Sequence, residues 1–175
     1  HAILAQNNRQ RTSETWQRRQ PEALLLGLFY TAEGEKYQPA FTKKPNGKRY
    51  RYYVPNRKVR FGADASPAGR VPAEPIEQMV LAQIHAALMS PEMVQSVWDV
   101  AHEKHPALTE PEVVLPLRKM GQVWAQLFPA ERQRIVQLLI ERVTLREEGI
   151  EITWRESGWH ALAGEMRPGT IGGEL

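Results

Sequence analysis

The sequence predicts a mixed α+β fold: a small antiparallel β-ribbon, an inserted helical hairpin, and a C-terminal helix plus β-hairpin that returns to the sheet. Three observations predict it. Residues 24–54 hold short apolar and alternating runs broken by Gly and Pro, the texture of strands and turns. From Pro72 onward apolar residues recur at helical spacing, beginning with Ile76, Met79, Val80, Ile84, Ala87 and Leu88. Near the end, Val143-Thr144-Leu145 and Ile150–Trp154 flank Glu148-Gly149, which is a hairpin pattern. At 175 residues the chain is long enough for one compact domain or two small ones.

In chain order, residues 1–22 read as the end of a preceding helix followed by a basic linker that holds Arg9, Arg11, Arg18 and Arg19 and closes at Pro21. The chain opens at His1, inside that helix, so it is expected to be a fragment with further chemistry upstream. Residues 23–71 form the predicted ribbon. Leu24–Tyr30 suits a buried strand, and Lys36–Thr42 a second strand interrupted at Pro39. Asn46-Gly47 signals a tight primed turn, since both residues tolerate positive φ. Lys48 to Tyr52 alternates, which puts Arg49 and Arg51 on one face and Tyr50 and Tyr52 on the other. Residues 55–70, with Pro55, Gly62, Pro67 and Gly69, read as a loop.

Residues 72–142 are predicted to be helical. Ser90-Pro91 restarts the helix, with Ser90 as N-cap and Pro91 in the first turn. Thr109 and Glu112 have the spacing of a capping box. Phe128-Pro129-Ala130-Glu131 opens a last helix with Ile135, Leu138 and Leu139 inward. Residues 143–166 hold the hairpin and a following segment, and 167–175 a flexible tail.

A net charge of +3 hides an asymmetry. Residues 1–73 carry 14 Lys and Arg against 5 Asp and Glu, and residues 74–175 carry 9 against 15. The basic half peaks in Lys43–Arg60, where Lys43, Lys44, Lys48, Arg49, Arg51, Arg57, Lys58 and Arg60 occur with three tyrosines and no acid. Such a run suits a phosphate backbone; the plainer reading is a solvated hairpin whose lysines protect an edge strand. The absence of cysteine excludes disulfides and thiolate zinc sites. No apolar run approaches 18 residues, so a soluble protein without membrane association is expected. His102 and His105 lack a third metal ligand, and Ser157 with His160 lacks the geometry of a nucleophile and its base. No catalytic and no metal-binding grouping is predicted.

Four stretches, ALLLGLFY (Ala23–Tyr30), GKRYRYYV (Gly47–Val54), RVPAEPIEQMV (Arg70–Val80) and LLIERVTLREEGIEITW (Leu138–Trp154), resemble the C-terminal part of the large serine site-specific recombinases of the resolvase, invertase and integrase group. With the linker, the likeness covers nearly the whole chain. Members of that family carry a catalytic resolvase domain, a helical recombinase domain, a linker and a zinc β-ribbon. Where many members place zinc-binding cysteines this chain has Thr31, Gly34 and Pro55, with the fourth position near Ser66. The resemblance therefore implies a zinc-less branch without a cofactor, its ribbon held by packing of Leu26, Leu28, Phe29, Tyr37, Phe41, Tyr50 and Tyr52.

The resemblance further implies a bacterial or phage-encoded, cytoplasmic protein whose partner is double-stranded DNA. The eight ribbon cations would meet the major groove of the outer half-site. Arg9, Arg11, Arg18 and Arg19 would cross the minor groove. The family's nucleophilic serine would lie in a domain outside this chain. The alternative is a protein-interaction module in which the helices of residues 74–127 pair between protomers.

Overall fold

The computed structural model describes residues 23–165; the expected helix end, linker and tail at 1–22 and 166–175 lie outside them. The fold is α+β, as the sequence predicts. In order it runs β1 (Phe29–Tyr30), β2 (Tyr37–Lys43), β3 (Arg49–Pro55), α1 (Asn56–Phe61), β4 (Val71–Pro72), α2 (Ala73–Met89), α3 (Pro91–Lys104), α4 (Glu110–Val123), α5 (Pro129–Leu139), β5 (Ile140–Arg146), β6 (Gly149–Trp154) and α6 (Glu156–Glu165). The strands make two three-stranded sheets, ordered β2-β3-β4 and β1-β5-β6. The C-terminal hairpin thus returns to β1, in parallel pairing of Phe29 with Val143 and Tyr30 with Thr144, while the ribbon is a separate sheet.

An aromatic cluster joins the sheets. Phe29 of β1 stacks on Tyr37 of β2 at 4.4 Å and meets Tyr53 of β3 edge-on at 5.3 Å. All three are buried. The Leu24–Tyr30 strand of the sequence reading shrinks to two residues. Gly27, at φ +78°, curls the chain, and amides of Leu26 and Leu28 bond back to Ala23 and Leu25. Leu24, Leu25 and Leu28 are still buried, whereas Leu26 points outward.

Two ribbon details also differ from expectation. Pro39 does not interrupt β2, because β2 is an edge strand and needs no outward amide. The tip is not a primed two-residue turn. Pro45, Asn46 and Gly47 form a three-residue loop in which Gly47 alone has positive φ, +81°. Gly47 N donates to Lys44 O, and Lys44 N to Lys48 O. Pro45 fixes the first turn residue near the φ of a type I turn, and Asn46 Oδ1 accepts from Lys48 N at 3.0 Å.

Packing alone does not hold the ribbon base. Glu35 Oε1 accepts the Arg57 amide at 2.7 Å, and its Oε2 accepts the Ser66 hydroxyl at 2.6 Å. Thr31 Oγ1 accepts the Glu35 amide at 3.1 Å. One carboxylate therefore clasps the turn after β1, the start of α1 and the loop at Ser66. Residues 55–70, expected as a loop, contain α1 as well. The positions that the family resemblance assigns to zinc do not fit it. Thr31 and Ser66 offer neutral hydroxyls already bonded within the clasp, and Gly34 and Pro55 offer no side-chain ligand. Among the described residues no group of three or more His, Cys, Asp or Glu gathers that could hold a metal ion.

The helical part has three helices over Ala73–Val123 rather than a two-helix hairpin, since the chain breaks fully at Ser90. Ser90 Oγ accepts from Met93 N at 3.2 Å, the expected cap. The Glu112 carboxylate accepts from both the amide and the hydroxyl of Thr109, and Glu131 accepts from Phe128 N. The helices pack on one another through Ile76, Val80, Ile84, Val94, Val97, Leu117 and Met120. Helix α6, absent from the sequence reading, docks on the end of α5. Gly158 lies so close there that a Cβ would meet Leu138 O at 1.8 Å.

Candidate nucleic-acid interface

Pairing across the ribbon sorts its side chains, because directly opposed residues of an antiparallel pair share a face. Tyr37–Pro55, Pro39–Tyr53, Phe41–Arg51 and Lys43–Arg49 lie on one face. Gln38–Val54, Ala40–Tyr52 and Thr42–Tyr50 lie on the other. The first face is buried at its base, through Tyr37, Tyr53 and Pro55, and open at its tip. None of the residues on the second is buried, and it is the outer face.

The alternation of Arg49 and Arg51 is as read from the sequence, but their face is the one that turns inward. Arg51 lies over α2, where both of its terminal nitrogens meet the Glu77 carboxylate, at 3.2 and 3.0 Å. Glu77 is buried. It also accepts the Tyr53 hydroxyl at 2.8 Å, and that hydroxyl accepts the Leu25 amide at 3.0 Å. Burial first, and the Glu77 charge second, push the Tyr53 hydroxyl far above its ordinary range, so it stays a donor. Arg51 is thereby a structural partner of a buried carboxylate, and its guanidinium is committed there.

The remaining ribbon cations reach solvent. Lys43, Lys44, Lys48 and Arg49 are exposed around the hairpin tip. Aromatic rings seat several of them. Lys44 and Lys48 lie over Tyr50 at 4.7 and 5.5 Å, and Arg49 over Phe41 at 4.8 Å. Such contacts stabilise a cation's position by about 0.5–1 kcal/mol while leaving its outer side solvated. Arg57 and Arg60 are exposed on α1, and Lys58 is half-buried. Arg57 N is held by the Glu35 clasp, which fixes α1 against the ribbon base. The burial that would raise the Glu35 carboxyl is outweighed by its hydrogen bonds from Ser66 and Arg57, which hold it below the usual carboxylate range.

Three further cations, which sequence reasoning did not select, also lie over aromatic rings. Arg70 lies over Tyr52 at 4.6 Å on the outer face. Lys36 and Arg142 flank the Tyr30 ring at 5.6 and 4.0 Å. For Arg70 the signal was present, since it is the last cation of the basic half. For Arg142 there was none, because it comes from the acidic half and arrives through β5 pairing with β1. The linker residues Arg9, Arg11, Arg18 and Arg19 lie outside the described residues.

Elsewhere, His102 and His105 are exposed at the end of α3. His160 and His105 line an apolar cavity with Ala101, Leu108, Val113 and Ala163. Burial, then the charges of Lys104 and His105, lower the His160 pKa. Among the described residues no helix is long and apolar enough to cross a membrane.

No family model matches the sequence, and no curated protein does. Among solved structures, the fold is similar to a chain solved in work on the sequence requirements of the Listeria innocua prophage attP site. That overlap has a TM-score of 0.40 and 16% identity, and covers 77% of this chain and 43% of the other. It is also similar to a chain in a crystal structure of an LSR–DNA complex, with a TM-score of 0.45, 14% identity, and 83% of this chain against 62% of that one. This chain thus spans less than two thirds of either.

Proposed function

We propose that this chain is a DNA-binding module that grips duplex DNA through the outer face and tip of its β-ribbon. The observation that carries the reading is a cluster of exposed cations at the ribbon tip, Lys43, Lys44, Lys48 and Arg49, with Arg70 over Tyr52 on the outer face and Arg57, Lys58 and Arg60 on α1. A strand of seven residues extends about 20 Å, which is about six base pairs of duplex at roughly 3.4 Å each. A two-stranded ribbon also fits the width of the major groove. The four sequence stretches quoted above add a finer reading. On it, the module belongs to a serine site-specific recombinase, recognises the outer part of a recombination half-site, and positions a catalytic domain carried outside this chain. Arg9, Arg11, Arg18 and Arg19 would then follow the minor groove, and the chain itself performs no chemistry.

The test is a salt titration of the chain against random duplex DNA. The expected result is a steep linear fall of log K with log salt, and Lys44→Ala with Lys48→Ala flattens the slope by about 2. Binding that is absent at low salt would sink the reading. A second reading has one observation in its favour: Met89 and Leu115 are each more than half exposed on α2 and α4, as a protomer-pairing surface over 74–127 would require. Sedimentation at rising concentration separates it, since self-association without DNA affinity is its signature.

A further inference from the structure

Phe61 is 76% exposed and is the most exposed large apolar side chain among the described residues. It closes α1, whose sequence is NRKVRF and which carries no acid in its first turn. Residues one turn apart share a helix face, so Phe61 lies on the face that carries Arg57, four positions before it, while Arg60 is its neighbour in the chain. Both arginines are exposed too. A singly exposed apolar side chain is ordinary, but a ring set among cations offers a partner both charge and apolar surface. Val59 adds a second apolar side chain, 58% exposed, on the same short helix.

The charge of α1 selects a polyanion as its partner. A phosphate backbone alone gives a phenyl ring nothing to bury against. In duplex DNA the apolar groups at the floor of the major groove are the thymine 5-methyls. We infer that α1 is a base-reading element in which Phe61 packs against thymine methyl groups while Arg57 and Arg60 hold the flanking phosphates. This rests on the DNA-binding reading above and deepens it, by separating a residue that reads sequence from those that supply affinity. The Glu35 clasp supports the role, because it fixes the start of α1 relative to the ribbon and so fixes the depth at which Phe61 would enter the groove.

The experiment enriches duplexes from a randomised pool with the wild-type chain and resynthesises them with uracil in place of thymine. That exchange removes the methyl group and keeps every hydrogen-bonding edge. The wild-type chain is expected to bind the thymine form about fourfold tighter for each methyl buried. Phe61→Ala is expected to lose that gap while keeping the wild-type salt slope. The same variant leaves thermal stability unchanged, since the ring is exposed. Equal affinity for thymine and uracil duplexes, or an undiminished gap in Phe61→Ala, overturns the inference and leaves the DNA-binding reading standing. Failure to enrich any duplex, with no binding at low salt, overturns both. Loss of self-association in Phe61→Ala with DNA binding unaltered overturns the inference in favour of a protein surface.

Discussion

Two residues that look alike in the sequence have different surroundings in the structure. Arg49 lies at the ribbon tip, and Arg51 is bound to a buried carboxylate. Removing Arg51 would leave Glu77 buried without its countercharge, so Arg51→Ala is expected to cost about 3 kcal/mol in a chemical denaturation, at the low end for a broken buried pair because the guanidinium is partly solvated. Glu77→Gln should cost less, since an amide oxygen still accepts from Tyr53. Equal stability of Arg51→Ala and wild type would remove the pair from the core's support. Glu35 makes a pH-dependent prediction. Its carboxyl is held below the usual range, so the clasp contributes fully above the unfolded value and is lost as pH falls through the lower folded value. The Arg57 amide resonance should titrate with a midpoint below that of an exposed glutamate, and Glu35→Gln should abolish that titration. Alternation was legible in the sequence at this scale, and the inward face was not. Tyr53 rather than Tyr50 or Tyr52 is the buried tyrosine, and what selects it is the position of Glu77, 24 residues later.

At the scale of elements, local chemistry was readable wherever a side chain caps its own helix. Ser90, Thr109 with Glu112, and Glu131 each sit where the spacing puts them. Elements defined by distant contacts were not readable. Helix α6 is short, and its Trp159, Leu162 and Ala163 are buried because α3, α4 and α5 pack against it and Trp154 of β6 meets Trp159. Its close approach is sharply testable. Gly158→Ala would drive a methyl into the Leu138 carbonyl, a backbone clash that costs about 3 kcal/mol. That should lower the melting temperature by roughly 10 °C. An unchanged melting temperature would mean that α6 can lift away without cost. Gly164, with nothing within 4 Å of a Cβ, is the control, and Gly164→Ala should be neutral or slightly stabilising.

Across the whole molecule, the division into a basic and an acidic half is a division of sequence more than of space. Arg142 crosses it to join Tyr30, and α2 of the acidic half supplies Glu77 to the ribbon. The fold class was legible because hydrophobic period changes from two to nearly four at Pro72. The pairing of β1 with β5 was not, because a parallel contact between residues more than a hundred positions apart leaves no local trace. That same pairing gives the molecule an order of events in time. Emerging from a ribosome, the ribbon and its cations are made well before β5, the strand that lies beside Phe29. Until Val143 arrives, β1 has no neighbour on its β5 side, and loop closure over that separation is slow. A chain ended after Leu139 should therefore show poor amide protection at Tyr53 and Leu25, and adding β5 and β6 should restore it. The acidic half would then be the part of the chain that decides when the basic half becomes competent to hold anything.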